Sequence, residues 1–261
     1  MVEKLQSGEA SVLKLATFSL RSLITERAFL DEFKIRGGFD ALQDVIKRAS
    51  GNTLAYSLLS LQSMLDLEDS SWAGLHDGFA ARIVEIISES PPGKVIHAQV
   101  PLGLRSLLLT ANQPLINITR PATAILRRLS LTAPLLSWNE IPTPPPSPAP
   151  APDQPTSGFS AIWSEIQMQD NFLKTVIGRL SSGDQPLAAL SLGLLNSLLK
   201  GAIEIGDISF ADELEKQDAW KAIGVSHCLR VLHFRHSNQF EAALRNCSSR
   251  TRPAATSSLQ S

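Results

Sequence analysis

Cysteine is nearly absent from this chain: Cys228 and Cys247 are the only two in 261 residues. That density excludes a secreted disulfide scaffold, and their spacing matches no zinc site, so a reducing compartment and two free thiols are expected. Charge of one sign is also missing. The 24 Lys and Arg against 25 Asp and Glu leave a formal net charge of -1, without the basic excess that nucleic acid or an acidic membrane surface would call for. No apolar run reaches the roughly 18 to 20 residues of a bilayer span. The best, "PLAALSLGLLNSLL", has the length of a core helix, and the N-terminus mixes acids and polar residues into its apolar ones, unlike a secretory leader. A cytoplasmic location is expected, with recruitment to membranes through partners.

The usual signatures of catalysis are lacking too. The sequence contains no Gly-x-Ser-x-Gly elbow, no phosphate-cradling Gly-Lys-Ser/Thr loop, no His-Glu-x-x-His and no Gly-x-Gly-x-x-Gly following a strand. The densest group of metal-ligating types, "SHCLRVLHFRH", holds His227, Cys228, His233 and His236. On one helix His227 and Cys228 diverge by about 100°, so the four do not converge on one tetrahedral point. The acidic stretches around Asp31–Glu32 and Asp212–Asp218 read as solvated helix faces. No catalytic residue, cofactor or metal is expected.

What the chain does have, at 43% hydrophobic content, is helical periodicity. Leu13, Ala16, Leu20 and Leu23 form one apolar stripe, Leu54, Leu58, Leu61 and Leu65 a second, and Leu75, Phe79, Ile83 and Ile86 a third. Ala122, Ile125, Leu126 and Leu129 follow Pro121, and Leu187, Leu190, Leu194 and Leu198 follow Pro186, with Asp184 placed to cap the latter helix. Each proline is expected in the first turn of its helix, and Asp77–Gly78 inside the third stripe. Many short helices joined by sharp corners suit a stack of repeats better than a four-helix bundle. The sharpest corner lies in "FLDEFKIRGGFDAL", where Gly37 and Gly38 separate a helix ending near Ile35 from one beginning near Phe39. A looser echo is expected at Gly224.

Between Ile141 and Gly158 the pattern stops: "IPTPPPSPAPAPDQPTSG" has the composition of an extended polyproline II segment. Four regions follow: a helical block over 1–139, a proline-rich insertion over 140–158, a second helical block over 159–238 and a disordered tail over 239–261. Pro142, Pro145 and Pro148 satisfy P-x-x-P twice, making an SH3-domain protein a candidate partner, although a flanking basic residue is missing and an inert spacer is the competing reading. Thr143 and Ser147 precede prolines as substrates of proline-directed kinases do. The fold class is all-α, an α-solenoid interrupted by a proline-rich insertion.

The pattern "FLDEFKIRGGFDALQDVI" resembles the glycine corner of armadillo repeats. Together with "LAYSLLSLQSMLDLEDSSWAGLHDGFAARIVEII" and "RPATAILRRLSL", in that order, it is similar to the armadillo-like region of the engulfment and cell motility (ELMO) family, over roughly residues 3 to 235. The resemblance implies a non-catalytic scaffold that associates with a DOCK-type guanine nucleotide exchange factor and a Rho-family GTPase in actin rearrangement, motility and phagocytosis. Segments resembling the Ras-binding, ELMO and pleckstrin-homology domains of longer members do not occur in the 261 residues. The expectation is therefore a truncated form, and the alternative to independent partner binding is an autoinhibitory or purely structural solenoid.

Overall fold

The computed structural model describes residues 1–67, 75–89, 102–131 and 158–225. Among them there is no strand. Twelve α-helices follow in order: α1 (Val2–Leu5), α2 (Ala10–Leu23), α3 (Arg27–Ile35), α4 (Gly38–Arg48), α5 (Gly51–Asp66), α6 (Phe79–Glu89), α7 (Leu102–Ser130), α8 (Gly158–Gln167), α9 (Phe172–Gly178), α10 (Gln185–Ile205), α11 (Ser209–Lys216) and α12 (Ala219–Val225), with a 3-10 turn at Arg179–Ser181.

The helices stack in two ladders. The long ones pack side by side in the order α2, α5, α7, α10, and the shorter ones in the order α1, α4, α6, α9, α12. Short helices α3, α8 and α11 complete the corners, each against its neighbour in the chain or the stack. Such a stack is what amphipathic units do when none can bury its apolar stripe alone. The anticipated stripes face inward: Leu54, Leu58, Leu61 and Leu65 are buried, as are Ala122, Ile125, Leu126 and Leu129. Helices on both sides of the proline-rich stretch contribute to one hydrophobic core, which runs from Leu5 to Ala219. This is an armadillo-like, all-α solenoid.

Polar contacts register adjacent rungs. Arg120 on α7 makes a bidentate pair with Asp184 (2.7 and 3.0 Å), the N-cap of α10, whose carboxylate also accepts the Leu187 N–H at 3.1 Å. Ten residues on, the hydroxyls of Ser130 and Ser197 meet at 2.7 Å inside the core. Arg128 reaches Asp66 of α5 at 3.4 Å. These pairings advance together along each helix, so α7 and α10 run parallel. On the other ladder, buried Arg179 donates to the Ile87 carbonyl of α6 at 2.8 Å. Burial lowers its pKa to about 10, which leaves the guanidinium charged at neutral pH.

Three local expectations are corrected. Pro121 lies in the interior of α7, not in a first turn. Proline there removes one bond to the carbonyl four residues back; that residue, Asn117, is exposed, so water can satisfy it while Ala122, Ile125 and Leu129 stay packed. Asp77–Gly78 forms the turn before α6, with Gly78 at φ +75°, and is not helical. Gly224 falls within α12, so it makes no corner.

The true echo of the first corner lies just upstream. "FLDEFKIRGGFDAL" (29–42) aligns without gaps on "FADELEKQDAWKAI" (210–223). In both copies the residue after the first helix is near φ -85° and the next is left-handed: Gly37 at +72°, Asp218 at +53°. The same two bonds close each turn, Arg36 to Glu32 and Gly37 to Lys34 in one, Gln217 to Glu213 and Asp218 to Glu215 in the other. Asp is among the few residues that tolerate this region. The repeat therefore recurs near the end of the described chain, where periodicity alone did not reveal it.

Candidate functional site

The corner glycines have separate tasks. Gly37 provides the left-handed backbone, while Gly38 opens α4 directly against Phe33: a Cβ at Gly38 would overlap that ring and its carbonyl. The other sequence candidates, Pro142, Pro145, Pro148, Thr143 and Ser147, lie outside the described residues. So do His227, Cys228, His233 and His236, and the 239–261 tail.

No cluster of His, Cys, Asp or Glu with metal-binding geometry occurs among the described residues. The acidic stretches are tied into helix-surface contacts. Arg36 pairs with Glu32 at 2.5 Å, and hydrogen bonds from Lys216 and then Gln217 hold the Glu213 carboxyl below its ordinary range, the reverse of what a general acid requires. His76 sits near 3.1 Å from Asp40 and donates its backbone N–H to buried Gln43 at 2.7 Å, tying the turn before α6 onto α4. A half-open cleft of about 390 Å³ between α1 and α3 is lined by Val2, Phe29 and Phe33, with Glu32 and Arg36 at its edge. Of its polar lining, Glu32 and Arg36 pair with each other, and Glu3 also borders it.

The tryptophans that are described serve packing. Trp163 is buried, edge-on to Phe210 at 5.1 Å, with its indole N–H donated to Ser209 at 3.2 Å. Trp220 is partly buried against the same core. Helix α10 is long and apolar enough to cross a membrane, but 56% of the relevant window is buried within the protein. It sits against α7, α8, α9 and α11, the situation of a core helix.

What remains is surface. Helices α5 and α7 are flanked on both sides by long helices and backed by short ones, so each has one solvent-facing stripe, on a shared side of the layer. At its α2–α5 end this face carries exposed Leu15 and Phe18, with Phe18 edge-on to Tyr56 at 5.3 Å. At its α7–α10 end the Arg127 side chain lies over Gly193, where an added Cβ would come within 3.1 to 3.3 Å of it. Sequence reading missed this juxtaposition, because nothing local links residues 127 and 193.

The comparisons with known proteins agree with this architecture. No curated protein matches the chain. Residues 28–113 match the family model described as ELMO, armadillo-like helical domain, which spans the Gly37 corner and the rungs from α3 into α7. In that stretch the chain is accordingly similar to the ELMO armadillo-like helical domain, and it shares that domain's all-helical fold.

Proposed function

We propose that this solenoid is a non-catalytic, cytoplasmic scaffold that docks protein partners in a pathway of a DOCK-type exchange factor and a Rho-family GTPase, promoting actin rearrangement, motility and phagocytosis. The observation that carries this reading is the match of residues 28–113 to the ELMO armadillo-like domain. It is supported by a helical stack with a long solvent-facing layer. The proline-rich stretch, with Pro142, Pro145 and Pro148, is in this reading an accessory ligand for SH3 domains. Membrane recruitment follows from the partners.

The test is a pulldown from source-cell lysate with the 261-residue chain as bait, in GDP or a non-hydrolysable GTP analogue, read by mass spectrometry. Recovery of a DOCK-type factor, or of a Rho-family GTPase with one nucleotide only, is the expected result. Recovery of neither rejects the pathway. Ser147 is expected to be phosphorylated in cells by a proline-directed kinase, adding up to about two negative charges beside the P-x-x-P ridge. Intact-mass measurement of the cellular protein should show a phosphate lost on Ser147→Ala; only unmodified mass would remove this regulation.

A further inference from the structure

The charges of this neutral chain are not evenly distributed between its two ladders. Among the described side chains, the long helices α2, α5, α7 and α10 hold Lys14, Arg21, Arg120, Arg127, Arg128 and Lys200 against only Asp66 and Glu204. Asp66 is held by Arg128, Glu204 by Lys200 at 3.7 Å, and Arg120 is itself engaged by Asp184. Lys14, Arg21 and Arg127 are exposed and form no ion pair with another described residue. Most described helical carboxylates are on the short helices, Asp31, Glu32, Asp40, Asp44, Asp212 and Glu213 among them, where a similar number of Lys and Arg balances them.

We propose that the solvent-facing side of the long-helix layer binds an acidic, extended segment of a partner protein that carries an apolar side chain. The apolar anchor goes to Leu15, Phe18 and Tyr56 between α2 and α5, and a carboxylate goes to Arg127 between α7 and α10. Adjacent helix axes lie 8–10 Å apart, and the Asp66–Arg128 register offsets the two sites along the axis as well. The sites are therefore roughly 20–25 Å apart, six to eight residues of extended chain at about 3.3 Å each.

The placement of the cations favours a narrow chain over a flat anionic bilayer. Arg127 is laid down on α10 in the space that Gly193 leaves by having no side chain, and Arg120 and Arg128 are drawn into pairs within the layer. A planar surface is met best by cations free to project from it. An extended acidic peptide runs across the layer from one helix pair to the other, and its carboxylates exchange water for an oriented guanidinium.

This inference rests on the reading of the chain as a partner-binding module, but its test uses neither exchange factor nor GTPase, so the two can fail separately. The full chain is titrated with a short labelled peptide bearing Phe and, six to eight residues on, a run of Asp and Glu. The same peptide with Lys for its acids and vesicles containing phosphatidylserine are titrated in parallel, each at low and high salt. The expected result is salt-sensitive binding of the acidic peptide alone, weakened about tenfold by Arg127→Glu and severalfold by Phe18→Ser. Gly193→Ala is expected to weaken it severalfold as well. Because alanine favours helix where glycine does not, that loss would not come from unfolding. Lys216→Glu, on the corner helix α11 and away from this layer, is expected to leave binding unchanged. Equal binding of both peptides, binding to vesicles but not to peptide, no binding at all, or indifference to Arg127→Glu would each overturn the proposal.

Discussion

Asp184→Ala is expected to lower the unfolding free energy by about 2–3 kcal/mol, an N-cap loss of about 1 kcal/mol plus the loss of charge-assisted bonds to Arg120. The Asp184 side chain is only 7% exposed and accepts from both Arg120 and the Leu187 N–H. Its own N–H donates to Ser182 at 3.1 Å, so the whole entry to α10 is organised around one residue. Alanine leaves the Leu187 donor without its side-chain partner, while Arg120, 41% exposed, regains water; this holds the cost below that of a fully buried pair. Asp184→Asn retains a cap acceptor and is expected to cost about half as much. Chemical denaturation followed by circular dichroism measures both. Equal stability of the alanine variant and the parent would show that the α7–α10 register does not depend on this bridge.

Gly38→Val is expected to cost about 2–4 kcal/mol, more than Gly37→Ala at about 1 kcal/mol. The order is informative because the two glycines fail for different reasons. At Gly37 the penalty is conformational, arising from φ +72°, with open space around a new Cβ. Gly37→Asn should be nearly neutral, since the equivalent Asp218 already occupies the left-handed region. At Gly38 the backbone is ordinary helix and the obstacle is Phe33, whose ring stacks on Phe29 at 5.7 Å and is 3% exposed. Moving that ring disturbs the contact between α3 and α4 and the core behind Leu30 and Leu42. Thermal melts of the three variants should rank Gly38→Val lowest. Equal melting of Gly38→Val and Gly37→Ala would contradict the steric argument.

The core also shows why the corner could be located from sequence but not explained by it. Two adjacent glycines between apolar stripes announce a sharp turn, and the expected helix ends at Ile35 and Phe39 lie within a residue of those observed. Which glycine needs positive φ and which needs the absence of a side chain depends on where Phe33 falls after α3 and α4 have packed. The second copy of the corner illustrates the same limit. Gly224 drew attention as a glycine, whereas the turn is made by Gln217 and Asp218, the latter left-handed without glycine.

By itself the sequence determined the all-α class, the buried stripes of α5 and of the end of α7, the Gly37–Gly38 corner and the N-cap at Asp184. Each is written in residues three or four apart, or adjacent, where local geometry alone relates the side chains. Only the tertiary structure decided that Pro121 could sit inside α7, that the long and short helices form separate ladders, and that Arg127 comes to rest on Gly193. Those outcomes depend on contacts between residues tens of positions apart, whose register is set by the packing of side chains between neighbouring helices and leaves no period in the chain.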